Sequence, residues 1–152
     1  MRRTILVALI VLALGGSGAR AVAQVSPRPV TIEELQADMI AKSGSDTVYF
    51  AGNSHGIDAA AQATLTAQAR WLLANPGVHV RIEGHADERT PRDYALAVGE
   101  RRANAVRDYL VLQGVPAAQL TIISWGRERP AVGGTSEMAL ALNRRVSTVL
   151  MR

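Results

Sequence analysis

Apolar and polar residues alternate along the chain with two periods, one typical of strands and the other of helices. Within residues 78–83, valine and isoleucine alternate with polar residues, which is the period-2 pattern of a half-buried strand. Residues 93–113 carry an apolar stripe at helical spacing and are followed by Gly114, a residue type that commonly ends helices. The pattern therefore predicts a strand and, one loop later, an amphipathic helix.

Three further strands and two further helices are predicted in the same way. The strands are expected over residues 47–50, 120–125 and 145–151, and a short helix over 136–143. An alanine-rich helix is expected to begin after Asp58, because aspartate is well suited to the N-cap position. The order β-α-β-α-β-(α)-β indicates an α/β sandwich of the α+β class, in which helices pack on one sheet.

The beginning of the chain has a different pattern. Two arginines, an apolar run and a small-x-small sequence follow one another, so residues 1–23 are predicted to be an export signal. The apolar run has about half of the roughly 20 residues that a membrane-spanning helix needs, which disfavours an uncleaved anchor. Residues 24–46 are predicted to be a linker with a short helix ending near Ile40, and the compact domain is predicted to span 47–152.

The charge of the chain argues against two kinds of partner, and its lack of cysteine argues against two covalent modifications. The chain has a formal net charge of +4, but three arginines and no acidic residue fall in 1–23. The remainder holds 14 basic and 13 acidic residues, which gives no electrostatic footprint for nucleic acid or an anionic membrane. Since there is no cysteine, we expect neither disulfides nor a lipid anchor, and a soluble mature protein.

Two charged residues are the main candidates for a site. Asp87 follows the predicted strand over 78–83, and Arg102 lies fifteen residues later, on or beside the apolar stripe of the helix. A strand end and a helix joined by one short loop can bring both charges to the same place. One hypothesis is a zwitterion site, with Asp87 binding an ammonium and Arg102 a carboxylate. The other is a structural ion pair between Asp87 and Arg102, and spacing alone does not decide between them.

The histidines suggest a further hypothesis, an exported metal-dependent hydrolase. It rests only on His85 and Asp87, which lie close together in sequence. No HExxH or other metal-ligand spacing accompanies them, and there is no GxSxG sequence. We therefore expect neither a metal nor any other cofactor.

Several sequence motifs follow one another at the spacing of a known family. They are Val48-Tyr49-Phe50, Glu83-Gly84-His85-Ala86-Asp87-Glu88-Arg89, Gly99-Glu100-Arg101-Arg102-Ala103-Asn104-Ala105-Val106, Ser124-Trp125-Gly126-Arg127-Glu128-Arg129-Pro130-Ala131-Val132 and Asn143-Arg144-Arg145. With these motifs the chain resembles the OmpA-like peptidoglycan-binding domain, from about Val48 to Leu150. Within that family it is most similar to the peptidoglycan-associated lipoprotein (Pal) branch, although it lacks the lipid-carrying cysteine of that branch.

The resemblance implies a non-catalytic module that binds the diaminopimelate-bearing stem peptide of peptidoglycan without a covalent bond. It places the ligand aspartate of the family on Asp87 and the ligand arginine on Arg102. It also implies that Arg89 shapes the pocket and that Asn53 occupies the position of a pocket acid. The expected location is the periplasm, in association with the cell wall or outer membrane.

Four residues depart from the pattern of the Pal branch. Gly52 replaces an aromatic residue, Asn53 an aspartate, Thr90 a glycine and Ala95 an asparagine. The threonine matters most if its turn requires a positive φ, which β-branched residues disfavour. These changes motivate an alternative function, an adapter with a degenerate peptidoglycan site that docks on Tol-system or other envelope proteins.

Overall fold

The computed structural model describes residues 28–152, and the predicted export signal over 1–23 lies outside this range. Within the described residues, no helix combines the length and apolar character needed to cross a bilayer.

Four strands form one mixed sheet in the order β1-β4-β2-β3. The strands are β1 (Thr47–Tyr49), β2 (His79–His85), β3 (Leu120–Gly126) and β4 (Arg145–Met151). β4 pairs antiparallel with both β1 and β2, whereas β2 and β3 are parallel. The parallel pair requires a crossover connection, which the third helix supplies.

Residues 28–152 also contain four helices, of which the three long ones pack against the sheet. The helices are α1 (Ile32–Ser43), α2 (Ala59–Ala74), α3 (Arg92–Leu112) and α4 (Glu137–Asn143), and a short 3₁₀ turn spans Ala117–Gln119. Asp58 caps α2 by accepting a hydrogen bond from the Ala61 amide at 2.8 Å, as the sequence predicts. The predicted glycine stop is also present, since Gly114 follows α3 with a φ of +102°.

The predicted fold class is confirmed, and each predicted strand and helix is present with small shifts at its ends. Strand β2 continues two residues beyond the predicted end, to His85, because Gly84 still pairs with Val146 of β4. The main core lies between the sheet and the three long helices, and its fully buried side chains include Leu65, Ile82 and Val106.

The packed unit begins earlier than the predicted boundary at residue 47. Helix α1 falls in the predicted linker and runs beyond Ile40 to Ser43, with a capping box formed by Thr31 and Glu34. Its Met39 is completely buried in the common core. The sequence predicts a linker here, but this helix packs on α2 and β4.

Two glycines let helix α3 approach strand β2 unusually closely. A methyl group added at Gly84 would lie 1.9 Å from the carbonyl oxygen of Gly99, so only glycine fits there. This contact fixes the end of β2 against the middle of α3, which places the loop after β2 beside the helix that carries Arg102.

Candidate ligand-binding site

Asp87 lies in the loop directly after β2 and is almost completely buried, with 5 % of its surface exposed. Its Oδ1 accepts a hydrogen bond from the backbone amide of Arg89 at 3.1 Å. Its Oδ2 accepts from Nη2 of Arg89 at 3.0 Å and from Nη1 of Arg144 at 3.2 Å. Burial alone would raise the pKa of Asp87, but these hydrogen bonds outweigh it and hold the pKa below its usual value. The carboxylate is therefore anionic at neutral pH.

Arg144 is the main buried partner of Asp87, a role that no local pattern in the sequence indicates. It ends α4 just before β4, and its Nε donates to the Phe50 carbonyl at 3.1 Å. Its Nη2 donates to Glu137 Oε1 at 3.2 Å. One guanidinium thus joins the loop after β1, the loop after β2 and the start of α4.

Two acidic and two basic side chains form a closed ring at this place. Arg89 contacts Asp87 on one side and Glu137 on the other, where Nη1 lies 3.4 Å from Oε2. Arg144 contacts the same two carboxylates, which completes the ring. The side chains of Asp87 and Arg144 are buried, whereas those of Arg89 and Glu137 are 53 % and 73 % exposed. We call these four residues the charge ring.

Arg102 is completely buried on α3, and backbone carbonyls rather than Asp87 accept its hydrogen bonds. Its Nε donates to Ser54 at 2.8 Å, its Nη1 to His85 at 2.9 Å, and its Nη2 to Gly52. The guanidinium also lies over the Phe50 ring, 5.3 Å from the centroid. The hypothesis of a structural Asp87–Arg102 ion pair is therefore wrong, because Arg89 and Arg144 take that place.

The charge of Arg102 has no carboxylate partner within 4 Å among residues 28–152. Burial lowers the pKa of Arg102 to about 10, helped by the positive charge of Arg144 and opposed by Asp87. The side chain remains protonated at neutral pH. A guanidinium has five N–H groups, so two of them, on Nη1 and Nη2, lack an acceptor in the described part of the chain.

A cleft of about 290 Å³ opens beside Asp87. It is lined by Gly52, Asn53, Asp87, Arg89, Thr90, Pro91 and Tyr94. Three of the predicted site residues, Asn53, Asp87 and Arg89, therefore lie on one cleft. Arg102 does not line it, but it holds the carbonyl groups of the loop that forms one wall. Tyr94, 45 % exposed, adds an aromatic side chain to the cleft.

Three of the four departures from the Pal branch fit the local backbone or packing. Thr90 needs no unusual backbone, because every positive φ among residues 28–152 belongs to a glycine. Gly52 has a φ of +48°, so the turn at this position favours glycine over the aromatic residue of the Pal branch. Ala95 is fully buried against the turn at Gly126.

His85 lies apart from the cleft. Burial, assisted by the charges of Arg145 and Arg129, lowers the pKa of His85 to about 4, so the imidazole is neutral at pH 7. In residues 28–152, no three histidine, aspartate or glutamate side chains come together in a way that would hold a metal ion. Residues 28–152 therefore contain no metal-ligand cluster that would support the hydrolase hypothesis.

Comparison with known proteins identifies the family. The model of the OmpA family matches residues 49–144. The chain belongs to the OmpA family. This family is non-enzymatic, and the chain is accordingly not an enzyme.

The chain is similar to peptidoglycan-associated lipoproteins from several bacteria. A peptidoglycan-associated lipoprotein of Rhizobium meliloti is 49 % identical over 105 residues, or 69 % of this chain and 60 % of the relative. One from Agrobacterium fabrum is 41 % identical over 139 residues, or 91 % of this chain and 72 % of the relative. The chain thus spans about three fifths of the length of the Rhizobium protein.

Solved structures support the same fold. The peptidoglycan-associated lipoprotein of Burkholderia pseudomallei superposes with a TM-score of 0.69 at 39 % identity, covering 71 % of this chain and 92 % of that protein. The C-terminal domain of Helicobacter pylori MotB has a TM-score of 0.64 at 22 % identity, covering 70 % of this chain and 84 % of that domain, and indicates the fold alone.

Proposed function

We propose that this chain is a non-catalytic module of the cell envelope that binds peptidoglycan through the diaminopimelate of its stem peptide. Membership of the OmpA family and the names of its relatives support the peptidoglycan part of this proposal. Binding is non-covalent and requires neither a metal nor another cofactor.

The ammonium of diaminopimelate binds Asp87 in this proposal. The carboxylate borders the cleft and is anionic at neutral pH, since Arg89 and Arg144 keep its pKa low. A cation that reaches it forms charge-assisted hydrogen bonds, which are about twice as strong as neutral ones. Asn53 lies on the same cleft and adds an amide that carries no charge.

The carboxylate of the same ligand group binds Arg102. The observation that carries the proposal is the buried positive charge of this residue, which has no anionic partner within 4 Å in residues 28–152. A buried charge without a counter-ion is costly, and a ligand carboxylate would supply one. Because Arg102 is not exposed, the ligand reaches it only when the loop carrying Gly52 and Ser54 shifts.

The test compares two synthetic stem peptides that differ in a single group. One contains diaminopimelate, and the other contains lysine, which keeps the ammonium but lacks the second carboxylate. Titration calorimetry with the chain should show the diaminopimelate peptide binding at least tenfold more tightly, because a hydrogen bond to a charged group contributes about 1.5–3 kcal/mol.

Two variants separate the roles of the residues. Asp87→Asn should weaken the binding of both peptides, whereas Arg102→Gln should abolish the preference for diaminopimelate over lysine. Circular dichroism and a urea midpoint check that each variant is folded. Equal affinity of the wild-type chain for both peptides would contradict the assignment of Arg102.

An envelope adapter is the second candidate function. The observation in its favour is the cleft wall at Gly52 and Asn53, which lacks the aromatic and acidic side chains of the Pal branch. Tol-system proteins or other envelope proteins are the proposed partners, and the periplasm is the proposed location for either function. Co-purification of an envelope protein that survives Arg102→Gln, without measurable binding of either peptide, would favour the adapter.

A further inference from the structure

The charge ring contains a competitor for the ligand. Oδ2 of Asp87 already receives two guanidiniums, at 3.0 Å and 3.2 Å, and Oδ1 receives the Arg89 amide. A carboxylate offers about four lone-pair positions, so these contacts leave about one free. A ligand ammonium that arrived with both guanidiniums in place would make three cations around one carboxylate. Since like charges repel at such distances, the withdrawal of one guanidinium would favour binding of the ammonium.

Arg89 is the guanidinium that can withdraw. The Arg144 side chain is only 8 % exposed and is also bound to the Phe50 carbonyl, so it is fixed in the interior. The Arg89 side chain is 53 % exposed, and beyond Asp87 its one other carboxylate partner among residues 28–152 is Glu137. That carboxylate, at the start of α4, is 73 % exposed and lies within 3.4 Å of Nη1.

We infer that Glu137 is a positioning residue of the ammonium site: it accepts Arg89 when a ligand ammonium replaces that guanidinium on Asp87. This inference rests on the proposed function. Arg89 already contacts Glu137, so it keeps one carboxylate partner after it leaves Asp87, which makes its displacement easier. Without Glu137, Asp87 is the sole carboxylate partner left to Arg89 in the described residues, and Arg89 competes with the ligand more strongly.

A double-mutant cycle with the diaminopimelate stem peptide tests the inference. Glu137→Gln removes the acceptor, Arg89→Gln removes the competitor, and the double variant removes both. We expect Glu137→Gln alone to weaken binding roughly three- to fivefold, the size expected of one exposed ion pair. In the presence of Arg89→Gln, the same change should alter affinity by less than about twofold, since the competitor is absent.

A matched control excludes a general effect of charge. Glu128→Gln makes the same chemical change at an exposed glutamate that pairs with Arg92 instead of Arg89. It should leave the affinity unchanged. A urea midpoint for each variant checks that it is folded under the conditions of the titration, because Arg89 and Glu137 also pair with the buried Asp87 and Arg144.

The outcomes separate the inference from the proposed function. If Glu137→Gln lowers the affinity for the peptide only when Arg89 is present, the inference is supported. If Glu137→Gln weakens binding equally with and without Arg89, Glu137 is a merely structural residue and the inference is overturned, while the proposed function stands. If the wild-type chain does not bind the peptide, the proposed function fails and the inference fails with it.

Discussion

The contact between Gly84 and Gly99 gives a sharp prediction about stability. In Gly84→Ala the new methyl group would lie 1.9 Å from the Gly99 carbonyl oxygen and 2.6 Å from its carbonyl carbon. An ordinary contact begins near 3.4 Å, so strand β2 and helix α3 must separate by roughly 1.5 Å. Both clashing atoms belong to the backbone, and no side-chain rotation relieves them.

The expected cost is at the upper end of the range for overpacked cores, about 3 kcal/mol. For a domain of this size such a loss lowers the melting temperature by about 10 °C. It should also weaken peptide binding, because the residue after Gly84 is His85, whose carbonyl accepts a hydrogen bond from Arg102.

Urea unfolding, followed by tryptophan fluorescence, measures the change in the free energy of unfolding. Gly77→Ala is the matched control, because a methyl group there meets no atom within 4 Å and the position has no positive φ. This control should stay within about 0.5 kcal/mol of the wild type. Equal urea midpoints for the two alanine variants would refute the packing argument.

Two further predictions concern His85 and Asp58. Because the pKa of His85 is about 4 when folded and ~6.5 when unfolded, the unfolded chain binds the proton first, and stability should fall as pH drops from about 6.5 towards 4. The full loss in the free energy of unfolding is about 3 kcal/mol. Urea midpoints measured across this pH range should show the loss in the wild type. A His85→Gln variant whose stability depends on pH in the same way would contradict the prediction. Asp58→Ala should cost about 1 kcal/mol by removing the cap of α2. Asp58→Asn should restore most of this stability, and equal thermal unfolding of the two variants would argue against capping.

The fold was largely predictable from the sequence because its elements follow local patterns. The alternation over residues 78–83 and the stripe over 93–113 are properties of neighbouring residues, and they survive in β2 and α3. The sequence predicts a linker where α1 lies, because the place of this helix in the core depends on packing against α2 and β4. A local pattern carries no information about such a distant contact.

The site was predictable only in part, for the same reason. Asp87, Arg89 and Asn53 lie on one cleft, as the resemblance implies. The partner of Asp87 was not predictable, because Arg144 lies 57 residues away and reaches Asp87 only when β4 pairs with β2. An arginine before a strand carries no signal of this role. The resemblance includes its motif, Asn143-Arg144-Arg145, but implies no function for it.

The position of Arg102 explains why truncation alone cannot define its role. The side chain holds three carbonyl groups, two of which belong to the loop that forms a wall of the cleft. Removing the side chain therefore disturbs that wall, and weaker binding would follow even if the ligand never touched Arg102. Changing the ligand avoids this ambiguity, because a stem peptide with lysine leaves every hydrogen bond of Arg102 in place. The preference for diaminopimelate over lysine thus reports the ligand carboxylate itself, and its loss in Arg102→Gln assigns that carboxylate to the guanidinium.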